Sequence, residues 1–346
     1  MAREHEKLGL GIVGAGMGAK PHALALNALK DRITVRGVWR RDPGALAEFC
    51  EQYGFPAAQS YEAILADPAI GAVLVLTPPN AREEIVAAAA AAGKHVLMEK
   101  PVERSTAAAQ RVVDICEKAG VTLGIIFQHR FRAASIALAR KIESGEMGRL
   151  QMVHLVVPWW RPQEGYYDKP GRGTFAQDGG GVLITQAIHS LDLMLSMTGP
   201  VKAVTALAAT TGLHRMETED FVAGGLEFAN GAVGSLMATT ACFPGSAESL
   251  VLGFDKASAI LAGGTLTLNW MDGRSETIGE QTNSSGSGAD PMAFPFDWHL
   301  AQITDFVKAL RDGRQPRSTG HSALGVHRLI DALIASSREG RRVQVD

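Results

Sequence analysis

The chain has little cysteine. Its 346 residues hold three, Cys50, Cys116 and Cys242, far apart and without a CxxC pair. That excludes a disulfide framework, offers no zinc-ligand spacing and suits a reducing compartment. Excess charge of either sign is also missing. The 34 Lys and Arg stand against 36 Asp and Glu, a formal net charge of −2, so nothing directs the chain to nucleic acid or an anionic membrane surface. No apolar run reaches membrane length, and the alanine-rich stretch 86–92 is bounded by Glu83-Glu84 and Lys94. The opening residues, Met1 to Lys7, are charged and lack the apolar core of a signal peptide. There is no internal repeat and no low-complexity tail. What remains is the composition of a cytoplasmic globular enzyme, 46% hydrophobic and 20% charged, long enough for two cores.

The first third alternates strand and helix. Apolar runs at Leu8–Val13, Ile33–Trp39, 72–76, His95–Met98 and 121–127 read as strands. Between them, helical spacing covers 18–30, 43–53, 80–92 (closed by Gly93) and 105–118, with Ser105 as cap. This rhythm predicts βαβ units and a parallel sheet over residues 1–127. From 128 to 346 the pattern changes. A helix near 133–144 leads to a strand at 150–157, a Gly/Pro/aromatic loop to Asp178 and a helix over 182–197. Strand-like runs follow at 201–210, 220–228, 232–241, 248–254 and 258–268. They predict a large, mostly antiparallel sheet in an α+β second domain. The Ser/Gly/Pro-rich stretch 281–295 reads as a mobile loop, and helices at 297–312 and 321–338 close the chain.

Gly14-Ala15-Gly16-Met17-Gly18-Ala19 follows the first strand and opens the first helix. Gly14 suits the tight turn. Gly16 lets backbone approach a pyrophosphate facing the helix N-terminus, and Ala19 takes the third fingerprint position. This predicts a dinucleotide site with Gly14, Gly16, Met17 and Gly18 in contact; the alternative is a tight turn with no ligand. The second strand ends in Arg40 and Arg41, where an acidic residue would bind the ribose 2′-hydroxyl of NAD. Two guanidiniums there suit a 2′-phosphate, which favours NADP over NAD; Asp42 lies one or two positions late.

Lys100 follows the strand 95–98 and precedes Pro101, which biases it to extended backbone and aims its side chain. It thus sits at the carboxyl end of a strand, the edge where open α/β sheets bind ligands. A cationic donor there suits hydride-transfer chemistry on an alcohol or ketone, although a surface Glu-Lys pair is the commoner fate. Further on, Gly179-Gly180-Gly181 can bring backbone close to a ligand ahead of a helix on which Thr185, His189 and Asp192 share one face. The loop 158–178 carries Trp159, Trp160, Arg161, Tyr166, Tyr167 and Arg172, a set that can stack on a sugar and clamp an anion, or simply pack. His299 and Gln302 open the next-to-last helix, to reach a neighbouring active site or to pack.

With these motifs in place the chain resembles the Gfo/Idh/MocA family over nearly its whole length. The resemblance rests on Gly14-Ala15-Gly16, Thr77-Pro78-Pro79-Asn80, Glu99-Lys100-Pro101, and Asp178-Gly179-Gly180-Gly181 followed by His189 and Asp192. It implies a Rossmann domain joined to a domain built on a large sheet, helices on one face and an oligomer interface on the other, hence a homodimer or homotetramer. It implies that Thr77, Pro79 and Asn80 line the dinucleotide, that Glu99 and Lys100 lie near the nicotinamide ribose, that Lys100 and His189 flank the reacting carbon, and that Lys100–Pro101 is cis. Many members carry Asp where Thr185 stands. Thr185 cannot supply that charge, so Lys100 takes a larger share of proton handling. Leu183 to His189, with Tyr166-Tyr167 and Gly171 to Thr174, is similar to the nucleotide-sugar 3-dehydrogenase branch.

These readings converge on an NAD(P)-dependent oxidoreductase for a secondary alcohol or ketone in a sugar-like, anionic small molecule. Lys100, His189 and Thr185 are its catalytic set; Arg161, Tyr166, Arg172, Gln186 and Asp192 are its substrate side; no metal is expected. The alternative is a cofactor-binding regulatory protein on the same fold without turnover.

Overall fold

The computed structural model describes residues 7–280 and 295–346. The stretch read as a mobile loop lies, but for Pro295, outside the described residues. The described residues form two compact units, one of 7–126 with 295–323, the other of 127–280 with 324–346. Residues 295–323, placed in the second domain by the sequence reading, thus fall with the first unit.

In the first unit, strands Leu8–Val13 (β1), Ile33–Trp39 (β2), Ala72–Val75 (β3), His95–Met98 (β4) and Leu123–Ile125 (β5) form one parallel sheet in the order β2-β1-β3-β4-β5. Helices Lys20–Ala28 (α1), Pro43–Tyr53 (α2), Tyr61–Ala66 (α3), Arg82–Ala91 (α4) and Thr106–Lys118 (α5) connect them. All four residues of β3 are fully buried, as a strand covered on both faces must be. The sequence spacing does not predict a helix at 61–66. It forms because Ser60 caps it, accepting from Ala63 N at 3.2 Å, and Ile64 anchors it. Helix α2 starts where Asp42 accepts from Ala45 N at 3.0 Å.

In the second unit, helix Ala133–Glu143 (α6) precedes the strand Leu150–Pro158 (β6), and helix Ile188–Thr198 (α7) follows the long loop. Next come Val201–Ala209 (β7), Phe221–Phe228 (β8), Val233–Thr239 (β9), Ser249–Phe254 (β10), Ala257–Ala262 (β11), Thr265–Trp270 (β12) and Ser275–Ile278 (β13). The run 258–268, read as one strand, is a hairpin: Gly263 and Gly264 take φ of 56° and 89° and turn it between β11 and β12. Helix Asp297–Asp312 (α8) belongs to the first unit. Helix Gly320–Glu339 (α9) ends in the second, and Val343–Gln344 (β14) completes a nine-stranded sheet, β13-β12-β11-β10-β6-β9-β8-β7-β14. Its one parallel pair is β6 with β9. Val153, Leu155 and Val157 of β6 are buried, while Met152 and His154 point the other way and are exposed. Helices α6 and α7 cover the buried face. No helix among the described residues is long and apolar enough to cross a membrane.

Candidate functional site

The site residues of the first unit collect at the carboxyl edge of its sheet. β1 runs into Gly14, whose φ of 94° only glycine takes freely; a Cβ there would lie 2.8 Å from Leu76 C and Thr77 N. Gly16 and Gly18 face open space, with nothing within 4 Å of the Cβ either would carry. Met17 to Ala19 form a single tight turn before α1 begins at Lys20, two residues later than the spacing predicts. At the end of β2, Arg40 donates from Nη1 to Ala15 O at 2.7 Å, which ties it to the glycine turn, while Arg41 is exposed. Asp42 is occupied as the α2 cap. Beyond β3, Pro79 and Asn80 lie in a short turn, and Thr77 Oγ1 is buried with no hydrogen-bond partner among the described residues. An orphaned hydroxyl, two open glycines and a third at positive φ form a cradle that fits a dinucleotide.

Lys100 sits at the end of β4 and its bond to Pro101 is cis, as the resemblance implies; Phe243–Pro244 is a second cis bond the sequence did not signal. Glu99 Oε1 accepts from His22 Nε2 at 2.7 Å, and Glu99 Oε2 from Lys100 N at 3.1 Å. Burial would push this carboxyl up, but the His22 hydrogen bond and the charges of His22, His299 and Lys100 hold it down at about 2. The His299 ring stands edge-on to His22 with centroids 4.6 Å apart. Gln302 donates to Ile125 O at 2.6 Å, so the start of α8 packs within its own unit. His22, Glu99 and His299 bring donor atoms within 4.8 Å of one another, a grouping assembled only by folding from three distant segments.

The sequence does not mark out Arg82. It is 3% exposed, and its guanidinium donates from Nε to Thr77 O at 2.8 Å, from Nη1 to Glu99 O at 2.5 Å and to Pro101 O, and from Nη2 to Lys100 O at 3.5 Å. Burial lowers it to about 10. Its signal was a cation at the first position of a helix, the end where the macrodipole disfavours positive charge.

In the second unit, a π turn at Leu183–Ala187 precedes α7. The glycine run before it does approach something closely, but protein: a Cβ on Gly181 would lie 1.8 Å from Glu219 O. The Glu219 carboxylate accepts from Gly181 N at 3.0 Å and Leu183 N at 3.3 Å, a cap the sequence did not reveal. Thr185 Oγ1 donates back to Gly181 O at 2.6 Å and also meets Gln186 Oε1; Gln186 Nε2 donates to Tyr166 OH at 2.8 Å. The Tyr166 ring has the Arg161 guanidinium 5.7 Å and the Arg172 guanidinium 5.2 Å from its centroid. Arg161 also lies over Trp159 at 5.3 Å, and Arg172 faces Asp178 at 3.6 Å.

His189 is 7% exposed and lies against His129, ring centroids 5.0 Å apart, with Phe127 edge-on at 5.9 Å. Arg132 donates to His129 Nε2 at 2.6 Å and to Glu248 Oε1 at 2.5 Å, and Trp159 Nε1 donates to Glu248 Oε2 at 3.2 Å. Asp192 corrects the sequence reading. It is fully buried, and Arg130 takes both its oxygens, at 2.6 and 2.5 Å, so it serves the fold of α7 rather than a substrate.

Known proteins resemble the chain in both of its units. Residues 8–127 match the model of the oxidoreductase family with an NAD-binding Rossmann fold, and 136–260 match the GFO/IDH/MocA C-terminal domain. The chain is 28% identical over 283 residues to levoglucosan dehydrogenase of Pseudarthrobacter phenanthrenivorans, covering 68% of each. It is 28% identical over 340 residues to D-xylose 1-dehydrogenase (NADP(+)) 2 of Haloferax volcanii, covering 97% of this chain and 99% of that one. The crystal structure of the WlbA dehydrogenase of Bordetella pertussis with NADH and UDP-GlcNAcA is similar at TM-score 0.82 and 28% identity over 99% of both chains. The chain belongs to the Gfo/Idh/MocA family and is an NAD(P)-dependent oxidoreductase.

Proposed function

We propose that the protein interconverts a secondary alcohol and its ketone on a sugar-like substrate bearing an anionic group. The observation that carries this is the placement of Lys100 on the same sheet edge as the Gly14 turn and the Thr77 loop. In this reading Gly14, Gly16, Gly18, the backbone of Met17, Arg40, Arg41, Thr77, Pro79, Asn80 and Glu99 hold the dinucleotide, whose nicotinamide supplies the hydride donor or acceptor. Lys100 hydrogen-bonds the reacting oxygen and lowers its pKa, and His189 takes or returns the proton. Thr185 and Gln186 act through the chain that ends on Tyr166. Arg161 and Arg172, on the Tyr166 ring, receive the anion. Three free cysteines suit a cytoplasmic setting.

The apolar side chains on the open face of the large sheet support self-association. Met152 is 42% and Val233 58% exposed, and the two are cross-strand partners on β6 and β9. A second copy of the chain covers them in this reading, giving a dimer or tetramer.

The test is turnover. NAD+ or NADP+ is offered with D-xylose, levoglucosan, myo-inositol and UDP-GlcNAcA, and reduced cofactor is followed by absorbance. Reduction with UDP-GlcNAcA in preference to the three neutral compounds, lost in Lys100→Met, is expected. Tight cofactor binding with no reduction by any sugar or polyol would favour a regulatory protein instead.

A further inference from the structure

We propose that Arg82 is the positioning residue of the reaction: its guanidinium clamps the two loops of the sheet edge together and thereby fixes Lys100 against the dinucleotide. The inference rests on the reading of Lys100 as the donor to the reacting oxygen.

The geometry is specific. Three consecutive carbonyls, Glu99, Lys100 and Pro101, accept from one guanidinium, and a fourth, Thr77 O, accepts from the same group. The Lys100 peptide is therefore held on both sides of its Cα, and its amide is held as well, by Glu99 Oε2. Glu99 is itself held by His22. A lysine side chain has four flexible carbons, so its ammonium is placed only as well as its backbone is. An error of about 1 Å at such a group can cost on the order of 100-fold in rate.

Stability alone is a poor reason for this arrangement. Arg82 makes no ion pair within 4.0 Å among the described residues, and a buried cation held by neutral carbonyls pays a large desolvation cost. What it provides that no other side chain does is a rigid planar fork of five donors, able to span two loops at once. Lysine offers three donors on one nitrogen and cannot reach four carbonyls spread over both loops.

The test compares Arg82→Lys, Lys100→Met and the double variant with the wild type. Hydrogen exchange of the peptides over 96–104 needs no substrate; it is expected to quicken at least tenfold in Arg82→Lys, with α5 unchanged. NADH affinity, read by NADH fluorescence, should stay within about threefold. With whichever of D-xylose, levoglucosan or UDP-GlcNAcA the wild type oxidises, kcat should fall ten- to 100-fold, and the double variant should be no slower than Lys100→Met. Arg82→Gln stands in if the lysine variant does not fold. Wild-type exchange and kcat in Arg82→Lys overturn the clamp. So does a loss of NADH affinity at unchanged kcat, or a double variant slowed by both factors. Wild-type turnover in Lys100→Met sinks the Lys100 reading itself and the clamp with it, whereas a dead Lys100→Met beside a normal Arg82→Lys sinks only the clamp.

Discussion

Arg130 grips both oxygens of Asp192, at 2.6 and 2.5 Å, beneath the helix that carries His189. The carboxylate is fully buried, so removing it strands a cation and opens a void. Asp192→Ala should lower the unfolding free energy by about 3–5 kcal/mol, the usual result of breaking a buried pair from one side. Denaturant unfolding measures this. A variant of normal stability with a raised KM for the sugar would return Asp192 to the substrate side.

Cofactor choice is expected to follow from Arg40. Its Nη1 is anchored to Ala15 O, and the nearest carboxylate in sequence, Asp42, is spent on capping α2. The end of β2 thus offers a fixed guanidinium, beside an Asp42 that turns one oxygen to the α2 cap. Arg40→Ala should weaken NADP+ at least tenfold more than NAD+ in dissociation constants. An unchanged ratio would remove Arg40 from the discrimination.

The open face of the large sheet makes its own prediction. Met152 and Val233 sit opposite each other on paired strands, both exposed. Met152→Arg should shift the protein toward monomer in analytical ultracentrifugation while leaving circular dichroism unchanged. Wild type sedimenting as a monomer would sink the sheet-face interface outright.

The parallel sheet was legible because its cues are local. Ile33–Trp39, 43–53 and His95–Met98 are bounded by turn and cap residues that fix both ends, and the structure has them at those limits. The glycine turn was legible for the same reason. The second unit was less so, since the Gly263-Gly264 turn interrupts an apolar run without a polar break, and β13 and β14 are too short to signal themselves. Within the candidate site, Lys100 stands out through Pro101, but the residues that hydrogen-bond around its backbone do not. Arg82 acts on carbonyls 17 to 19 positions away, and His22, Glu99 and His299 meet across 77 residues and more. Nothing in spacing reports such meetings. Spacing also misplaced Asp192, because sharing a helix face with His189 says nothing of the Arg130 beneath it.

Acid should unfold this protein through histidines. His327 is 2% exposed, its Nε2 has no hydrogen-bond partner among the described residues, and burial lowers it to about 4. His299 is lowered to about 3 by burial and by the charge of His22. The folded chain keeps both rings neutral, whereas the unfolded chain protonates them near the ordinary value of about 6.5. Between those limits the unfolded state binds more protons, so stability is full above about pH 6.5 and falls as pH drops. For His327 the loss comes to about 2 kcal/mol by pH 5 and about 3 kcal/mol once its folded value is passed. Below about pH 4.5 Glu99 adds to it in the same direction, since its folded value of about 2 leaves the unfolded carboxyl to take the proton first. Urea midpoints at pH 7.5 and pH 5 measure the histidine part. His327→Leu should close roughly half of the gap between the two, leaving the His299 share. A gap of wild-type size in that variant would mean that His327 takes up its proton in the folded protein as readily as in the unfolded one.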